Sequence, residues 1–144
     1  MTVAAILKHK GHHVTTIAPT ATIAEVVDVL STQRIGAALV IDQANQLLGI
    51  VSERDIVRSL AANAERTLSM TAGQLMTRPV QVAHPGTTVA EAMQMMTAGR
   101  FRHLPVLEDN ALIGLISIGD VVKARIMQQE SEVDSLKAYV TGAA

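Results

Sequence analysis

The chain has 144 residues, of which 49% are hydrophobic and 17% are charged, with a formal net charge of −1 and no cysteine. This balance is typical of a folded globular chain, and the missing thiols exclude disulfide scaffolds, thiolate catalysis and thiolate metal sites. Aromatic residues make up only 1% of the chain. That scarcity argues against stacking platforms for single-stranded nucleic acid, and the near-neutral charge argues against binding of a phosphate backbone. We therefore expect a soluble, cytoplasmic protein with an aliphatic core.

The chain begins with "MTVAAILKHKGHH", in which the basic residues follow the apolar ones. A secretory signal has the opposite order, and no apolar run approaches the ~20 residues that a membrane span requires, so neither is predicted. Gly11 is predicted to end the first helix. His9, His12 and His13 cluster around it as candidate metal ligands, but no acidic residue lies among them, so a solvated or phosphate-facing loop is favoured.

One structural unit occurs twice in the chain. The segment Pro19–Asp42 aligns with Pro85–Glu108, with Pro, Thr, Ala-Glu and Arg at matching places. Each copy also begins with a similar short segment, called here the first opener (Thr2–Leu7, "TVAAIL") and the second opener (Thr71–Met76, "TAGQLM"). Such internal similarity predicts two copies of one supersecondary unit.

Each copy contains the same strand-to-helix junction. "GIVSERD" at Gly49–Asp55, called here the Asp55 corner, returns as "GLISIGD" at Gly114–Asp120, called here the Asp120 corner. Gly, Ser and Asp stay in register between the two. A single occurrence of this pattern would be a weak signal, whereas two in matched units form a strong one.

The residues between the openers and the corners predict the remaining elements. Thr22 and Glu25 are spaced as a capping box at a helix start, and Thr88 and Glu91 repeat that spacing. Apolar residues at helical spacing follow each pair, and two β-rich runs separated by a polar turn come next. Each copy is therefore predicted to contain an opener helix, a strand, a helix, a strand, a turn, a strand and a helix.

This order predicts an α/β (α+β) fold made of two β-α-β-β-α repeats. One repeat cannot bury its sheet and helix faces alone, so we expect the two copies to pack sheet to sheet. The predicted boundaries are residues 1–66 for the first repeat, 67–130 for the second, and 131–144 for an extension of the last helix.

The Ser and Asp of each corner support two interpretations. Ser52 and Asp55 have the spacing of a helix N-cap followed by an acidic N3 residue, and Ser117 and Asp120 repeat it. A helix N-terminus also offers free amides to a phosphate, and an adjacent carboxylate can accept two hydrogen bonds from a ribose diol. The glycine three residues before each Ser predicts a close approach to the strand. The corners are helix caps, nucleotide contacts, or both.

With these residues in register, the chain resembles a tandem of CBS domains, the adenosine-nucleotide-sensing arrangement also called a Bateman module. The resemblance covers almost the whole chain. The run "MTAGRFRHLPVLEDNALIGLISIGDVVKARI" is especially similar to stand-alone bacterial CBS-pair proteins and to plant proteins of the same simple design. The resemblance implies a pseudo-two-fold module that binds AMP, or else ATP, ADP, NAD(H) or S-adenosylmethionine, and needs no other cofactor.

The resemblance also assigns roles to individual residues. The resemblance places the carboxylates of Asp55 and Asp120 at the ribose. Other residues are assigned to the ribose-phosphate side, either by the resemblance or by their local charge. These residues are Ser52, Ser117, Arg54, Arg102, His103 and Lys10. Those that it places on the adenine side are Thr16, Thr22, Ile35, Gly36, Ala37, Phe101, Val82 and Thr88.

The two copies differ where the second strand begins. Arg102 and His103 in the second copy stand where the first copy has Gly36 and Ala37. A guanidinium forks onto phosphate oxygens, so this pair indicates phosphate ligands, although a solvated edge-strand charge is the alternative for Arg102. In the first copy, Arg54 within the corner offers a comparable charge. We expect two unequal sites, and the spacing does not decide which opener belongs to which site.

The last predicted helix continues past the repeat to about Val140 without Gly or Pro. Its apolar positions are spaced 4, 3, 4, 3 and 4 residues apart, with one polar interruption, which is the pattern of a coiled-coil seam. The positions of this seam are Val122, Ile126, Gln129, Val133, Leu136 and Val140. The seam covers the chain's own sheet or pairs with another chain, and the resemblance to CBS pairs favours a homodimer.

The predicted function is that of a regulatory module that binds an adenine nucleotide and signals occupancy to a partner. Plant relatives regulate thioredoxins, so a thioredoxin-like protein or a metabolic enzyme is an expected target. No enzyme is predicted, because Ser52 and Ser117 have no His at sequence-encoded reach and the dinucleotide and phosphate-loop motifs are missing. The alternative is a scaffolding dimer in which the Ser-x-x-Asp pairs are only helix caps, and a metal sensor built on the histidines is a third hypothesis.

Overall fold

The computed structural model describes residues 1–142, which alternate helices and strands in the predicted tandem order. The helices are α1 (Val3–Lys10), α2 (Ile23–Gln33), α3 (Glu53–Asn63), α4 (Ala72–Leu75), α5 (Val89–Gly99) and α6 (Ile118–Val140). The strands are β1 (Thr16–Ile17), β2 (Ala37–Ile41), β3 (Leu47–Ser52), β4 (His103–Glu108) and β5 (Ala111–Ser117). A 3-10 helical segment, Ala64–Ser69, precedes α4. The predicted α+β class is confirmed.

The two copies form unequal sheets. In the first copy β1 pairs parallel to β2, and β2 pairs antiparallel to β3. The second copy has a two-stranded sheet of β4 and β5, and the strand predicted before α5 is reduced to a single bridge between Ala83 and Val106. The prediction of that strand was wrong because of one residue. Leu39 donates its amide to the Thr15 carbonyl, at 3.1 Å, but Pro105 at the matching position has no N–H to donate.

The helix starts follow the predicted caps in part. The Thr22 hydroxyl accepts from the Glu25 amide at 3.2 Å, and the Thr88 hydroxyl accepts from the Glu91 amide at 3.0 Å. The Thr88 hydroxyl in turn donates to the Glu91 carboxylate. Only the hydroxyl half of the predicted capping boxes therefore forms at these two helices, whereas complete boxes form at the starts of α3, α4 and α6.

The chain divides into two compact units that do not follow the order of the repeats. The Asp120 unit comprises Met1–His12, Val82–Asp109 and the described part of Gly114–Ala144. The Asp55 unit comprises His13–Gln81 and Asn110–Ile113. Each unit thus contains the opener of the other repeat.

Backbone hydrogen bonds fix this exchange of openers. Beside the first opener, the carbonyl of Met1 accepts from the amide of Val89 at 3.0 Å, where α5 begins. Beside the second opener, the carbonyl of Met70 accepts from the amide of Ile23 at 2.8 Å, where α2 begins. The residue before each opener therefore supplies an acceptor to one of the amides at a helix start, which is a general need of helix termini.

Buried aliphatic residues hold each unit together. In the Asp55 unit, the apolar stripe of α2 packs with β2, β3 and Ala72 of the second opener. In the Asp120 unit, the fully buried side chains include Leu7 of the first opener together with Val89, Leu104, Ile116 and Val121. Among residues 1–142, no helix has the length and apolarity that crossing a membrane would require.

Candidate functional site

The glycine of each corner is the point where an opener packs against a strand. A Cβ atom on Gly49 would lie 2.6 Å from Sδ of Met76 and 2.9 Å from the carbonyl oxygen of Thr77. A Cβ atom on Gly114 would lie 2.6 Å from a methyl carbon of Leu7. These distances exclude a side chain at either position without displacement of a neighbour. The close approach predicted from the glycines is therefore confirmed, but the group that approaches is the protein's own opener.

Both Ser-x-x-Asp pairs form complete capping boxes. The Ser52 hydroxyl accepts from the Asp55 amide at 3.3 Å, and the Asp55 carboxylate accepts from the Ser52 amide at 2.8 Å. Ser117 and Asp120 repeat this arrangement at 3.2 and 2.8 Å. The cap interpretation thus describes the geometry of both corners, because each pair satisfies two amides at a helix start.

The Asp55 corner is closed by the residue that follows the second opener. The Thr77 hydroxyl donates to Oδ1 of Asp55 at 3.0 Å, while Oδ2 of Asp55 accepts from Ser52. The Thr77 backbone also pairs with Ile50 of β3, donating to its carbonyl at 2.8 Å and accepting from its amide at 3.2 Å. Main chain therefore covers the strand edge beside Asp55, and the carboxylate has a neutral hydroxyl for a neighbour.

The Asp120 corner is closed by one ammonium group. Nζ of Lys10, at the end of α1, lies 2.6 Å from Oδ2 of Asp120 and donates to the carbonyl of Leu115 at 2.7 Å. Leu115 occupies the position that Ile50 has in the first copy. A single side chain thus makes the two bonds for which the Asp55 corner uses a backbone amide and a hydroxyl. The exposed fractions of the two side chains are 37% for Lys10 and 25% for Asp120.

These contacts shift the ionisation of Asp120. Burial by itself would raise the pKa of this carboxyl, because it disfavours the charged form. The hydrogen bonds from Lys10 and from the Ser117 amide, together with the positive charge of Lys10 and the Ser117 hydroxyl, outweigh burial and lower the pKa below its ordinary value. Asp120 is therefore an anion held at the start of α6 by the ammonium of Lys10.

The residues that enter β2 and β4 lie next to the corners. The Gly36 carbonyl accepts from the Glu53 amide at 2.9 Å, and the Arg102 carbonyl accepts from the Ile118 amide at 2.8 Å. Ala37 pairs directly with Ser52 across the sheet. The predicted residues Gly36, Ala37, Arg102 and His103 thus flank the starts of α3 and α6. Their roles towards a ligand stay predictions.

The other predicted site residues fall into one unit or the other. Within the Asp55 unit, Thr16 is exposed on β1, Thr22 caps α2, Ile35 is half-buried ahead of β2, and Arg54 is exposed in the first turn of α3. Within the Asp120 unit, Val82 and Phe101 are half-buried and Thr88 caps α5. Among the predicted residues, Lys10, Ser52 and Ser117 contact the corner carboxylates directly. The adenine-side assignments stay predictions.

The sequence reasoning missed Thr77. The alignment of the openers contained a usable signal, because Thr77 directly follows the second opener, whereas Lys10 follows the first by three residues. A residue just past an opener that packs on the corner glycine has to lie near the corner. The Leu115 carbonyl was also missed, since backbone acceptors carry no signal in side-chain patterns.

The first helix ends before Gly11 as predicted, so His9 lies in α1 and His12 and His13 lie after it. α1 ends at Lys10, and Gly11 follows with φ 100°, a conformation that favours glycine. Within residues 1–142, the structure contains no group of three His, Asp or Glu side chains placed to hold a metal ion.

The family model of the CBS domain matches residues 4–62 and 72–126, which include both corners. The chain belongs to the CBS domain family. Each of its two CBS domains contains one Ser-x-x-Asp corner and part or most of the helix after it, and α6 continues beyond the second match.

Three CBS relatives illustrate the similarity. The chain is 36% identical over 125 residues to the mitochondrial CBS domain-containing protein CBSX3 of Arabidopsis thaliana, which covers 84% of this chain and 61% of that protein. A crystal structure of a CBS-domain containing protein from Agrobacterium tumefaciens is 41% identical, with a TM-score of 0.84 over 86% of this chain and 92% of that one. A CBS domain protein from Pyrobaculum aerophilum complexed with AMP is 28% identical, with a TM-score of 0.73 over 83% of this chain and 89% of that one.

Proposed function

We propose that this CBS pair is a regulatory sensor of adenine nucleotides, with AMP as its first ligand and the Asp120 corner as its main site. The observation that carries the proposal is the Lys10–Asp120 pair at the start of α6. It combines a carboxylate for a ribose diol with a partly exposed ammonium for a phosphate, at the positive end of a helix dipole. An AMP complex of a related CBS protein supports the ligand class.

In this proposal Lys10 exchanges one anion for another. An incoming phosphate attracts the Lys10 ammonium away from Oδ2 of Asp120, and the released carboxylate accepts hydrogen bonds from the ribose hydroxyls. Because the ribose hydroxyls replace the ammonium as hydrogen-bond donors, the exchange avoids leaving a half-buried carboxylate without partners. Ser117 lies on the ribose-phosphate side, and Arg102 and His103 at the entry to β4 add further phosphate contacts.

The Asp55 corner is proposed to be the weaker site for phosphorylated ligands. Its strand edge is paired to the main chain of Thr77, and displacing main chain costs a ligand more free energy than displacing a side chain. Its carboxylate accepts from the Thr77 hydroxyl, where Asp120 accepts from the Lys10 ammonium. Arg54 in the first turn of α3 is the candidate phosphate ligand there. Binding at this corner is expected to depend less on phosphate number.

The remaining parts of the proposal concern how the protein signals that a nucleotide is bound. Occupancy is signalled to a partner protein, for which a thioredoxin-like protein or a metabolic enzyme is the expected class. The protein acts as a homodimer in the cytoplasm and is not itself an enzyme. A shift between two states requires only that the nucleotide bind one of them more tightly.

Isothermal titration calorimetry with AMP, ADP, ATP and NAD tests the site. Asp120→Asn is nearly isosteric and removes the charge, so we expect the AMP dissociation constant to rise about tenfold or more, equivalent to about 1.4 kcal/mol. Asp55→Asn, the matched control in the other corner, is expected to change AMP binding less. Equal losses in both variants would contradict the assignment of a main site.

The complete capping boxes favour a second candidate, a scaffolding protein in which both Asp residues only cap helices. It predicts that none of these nucleotides raises the melting temperature at millimolar concentration, and that Asp120→Ala lowers stability alone. Under the sensor proposal, Asp120→Ala weakens nucleotide binding more than it destabilises the fold.

A further inference from the structure

A groove lies between α5 and α6 of the Asp120 unit, where the two helices pack against each other, and has a volume of about 410 Å³. Its lining residues are Ala90, Met93, Gln94, Thr97, Ala98 and Arg125. Small-molecule sites commonly have volumes of this order, lie between helices, and combine apolar walls with a few polar groups. None of the six residues belongs to the proposed nucleotide site.

Arg125 is the charged residue of this groove. Its side chain is half-buried, and within residues 1–142 the structure gives its guanidinium neither an ion pair nor a hydrogen bond. The positions three and four residues away on α6 hold valine or glutamine, and the α5 residues that line the groove include no acid. Neither helix therefore supplies a carboxylate here. An arginine that is partly removed from water and has no partner is unfavourable, and a carboxylate matches its planar fork of donors.

The remaining lining residues are suited to the body of a small apolar molecule. Ala90, Met93 and Ala98 offer methyl and thioether groups, and a methionine side chain adapts its shape to what packs on it. The Thr97 hydroxyl already donates to the Met93 carbonyl at 2.8 Å, so it is left as an acceptor. The Gln94 amide is exposed at the groove. The six residues include no aromatic ring on which a nucleotide base could stack.

We propose that this groove binds an apolar monocarboxylate, such as a medium-chain fatty acid, with its carboxylate on Arg125 and its chain along Met93. One guanidinium balances one negative charge, whereas the phosphates of a nucleotide carry more charge than this groove can pair. The site is separate from the proposed nucleotide site and does not depend on it.

The matching surface of the first copy has the opposite charge. Leu60 occupies the position that matches Arg125, and Asp28 occupies the position that matches Gln94. An acidic residue in place of a cation repels a carboxylate. We therefore expect the ligand to bind the second copy and not the first, which makes the first copy a source of test substitutions.

Nuclear magnetic resonance of the full chain, with isotope-labelled methionine methyl groups, tests the site. Octanoate, used below the concentration at which it forms micelles, is expected to shift the methyl signal of Met93 and to leave that of Met70, which packs in the Asp55 unit, unchanged. Octanol has the same chain without the charge and is expected to bind about tenfold more weakly, or worse. Acetate has the charge without the chain and is expected to cause no shift at the same concentration.

Two variants and a control test the role of the charge. Arg125→Leu introduces the residue of the first copy and is expected to weaken octanoate binding about tenfold. Gln94→Asp adds a carboxylate that competes with the ligand for Arg125, so binding should weaken as well. Lys123→Met removes a positive charge from an exposed position of α6 outside the groove and should bind octanoate as the wild type does. Circular dichroism checks that each variant is folded.

Three results would overturn the proposal. The first is equal binding of octanoate and octanol, and the second is unchanged octanoate binding in Arg125→Leu. The third is a Met93 signal that millimolar octanoate does not move, or that moves with protein concentration alone, which would assign the groove to a second copy. Calorimetry with AMP reports separately on the proposed nucleotide site, because none of these substitutions lies in it.

Discussion

The two strand-to-helix corners share a motif but are closed by different chemistry. At the Asp55 corner, Thr77 closes the strand edge with its backbone and the carboxylate with its hydroxyl. At the Asp120 corner, the Lys10 ammonium makes both contacts by itself, with the Leu115 carbonyl and with Asp120. A main-chain closure is rigid and neutral, whereas a lysine side chain can move and carries a charge. The duplicated motif thus has a neutral contact with main chain and a hydroxyl at one corner and a charged side-chain contact at the other.

The largest effect should come from filling the glycine positions. Gly49→Ala places a Cβ against the Thr77 carbonyl as well as Met76, so backbone has to move, and we expect a loss of about 2–3 kcal/mol in unfolding free energy. Gly114→Ala meets only the side chain of Leu7, which can change rotamer, and should cost about 1 kcal/mol. Urea unfolding measures both. A larger loss for Gly114→Ala would reverse the inferred difference in rigidity.

The next effect concerns the charge at the Asp120 corner. Lys10→Met removes the ammonium while keeping the length of the side chain, so we expect AMP affinity to fall about tenfold, and ATP affinity to fall further. Lys8→Met, on the same helix, is the matched control and should leave binding unchanged. Calorimetry at fixed ionic strength measures the difference. Unchanged AMP affinity in Lys10→Met would show that the ammonium takes no part in phosphate binding.

The contribution of Lys10 to stability should depend on pH. The pKa of Asp120 is lowered in the folded state, so the ionised pair stabilises the fold above the unfolded pKa of about 3.9, and this contribution disappears as the pH falls through the lower folded value. Lys10→Met should therefore cost about 0.5–1 kcal/mol at pH 7, the range for solvent-accessible pairs.

The difference between the wild type and Lys10→Met should shrink as the pH falls through the lowered folded pKa of Asp120, because protonation of the carboxyl removes the ion pair from the wild type. Unfolding with urea at pH 7, 5 and 3 follows this change. A difference that persists undiminished at pH 3 would assign the effect of Lys10 to packing of its aliphatic stem instead of its charge.

The smallest effect should come from Thr77. Thr77→Val removes the hydroxyl that donates to Asp55 but keeps the backbone pairing with Ile50, so we expect a loss of about 0.5 kcal/mol, the low end for an accessible hydrogen bond. Thr77→Ser keeps the donor and serves as the control. Thermal unfolding of the two variants measures the difference, and a loss of several kcal/mol in Thr77→Val alone would mean that the hydroxyl, not the main chain, closes this corner.

Most elements of the fold could be predicted because their signals are local. The Ser-x-x-Asp caps, the predicted starts of α2 and α5 and the runs that became β2 to β5 all rest on residues within a few positions of one another. Two predictions about local structure were wrong. The strand before α5 shrank to one bridge because a proline lies in its partner strand, and the carboxylate half of the box at α2 and α5 did not form as predicted.

The sequence by itself determined that one unit occurs twice, where its helices begin, and that each corner needs a glycine before its Ser. It did not determine which opener packs on which corner, since both openers have the same pattern and either would satisfy a helix start. Only the tertiary structure decided that α1 lies at Asp120 and the second opener at Asp55. That choice spans up to 110 residues of chain, and it is made by the summed packing of whole elements, for which no short pattern encodes the answer.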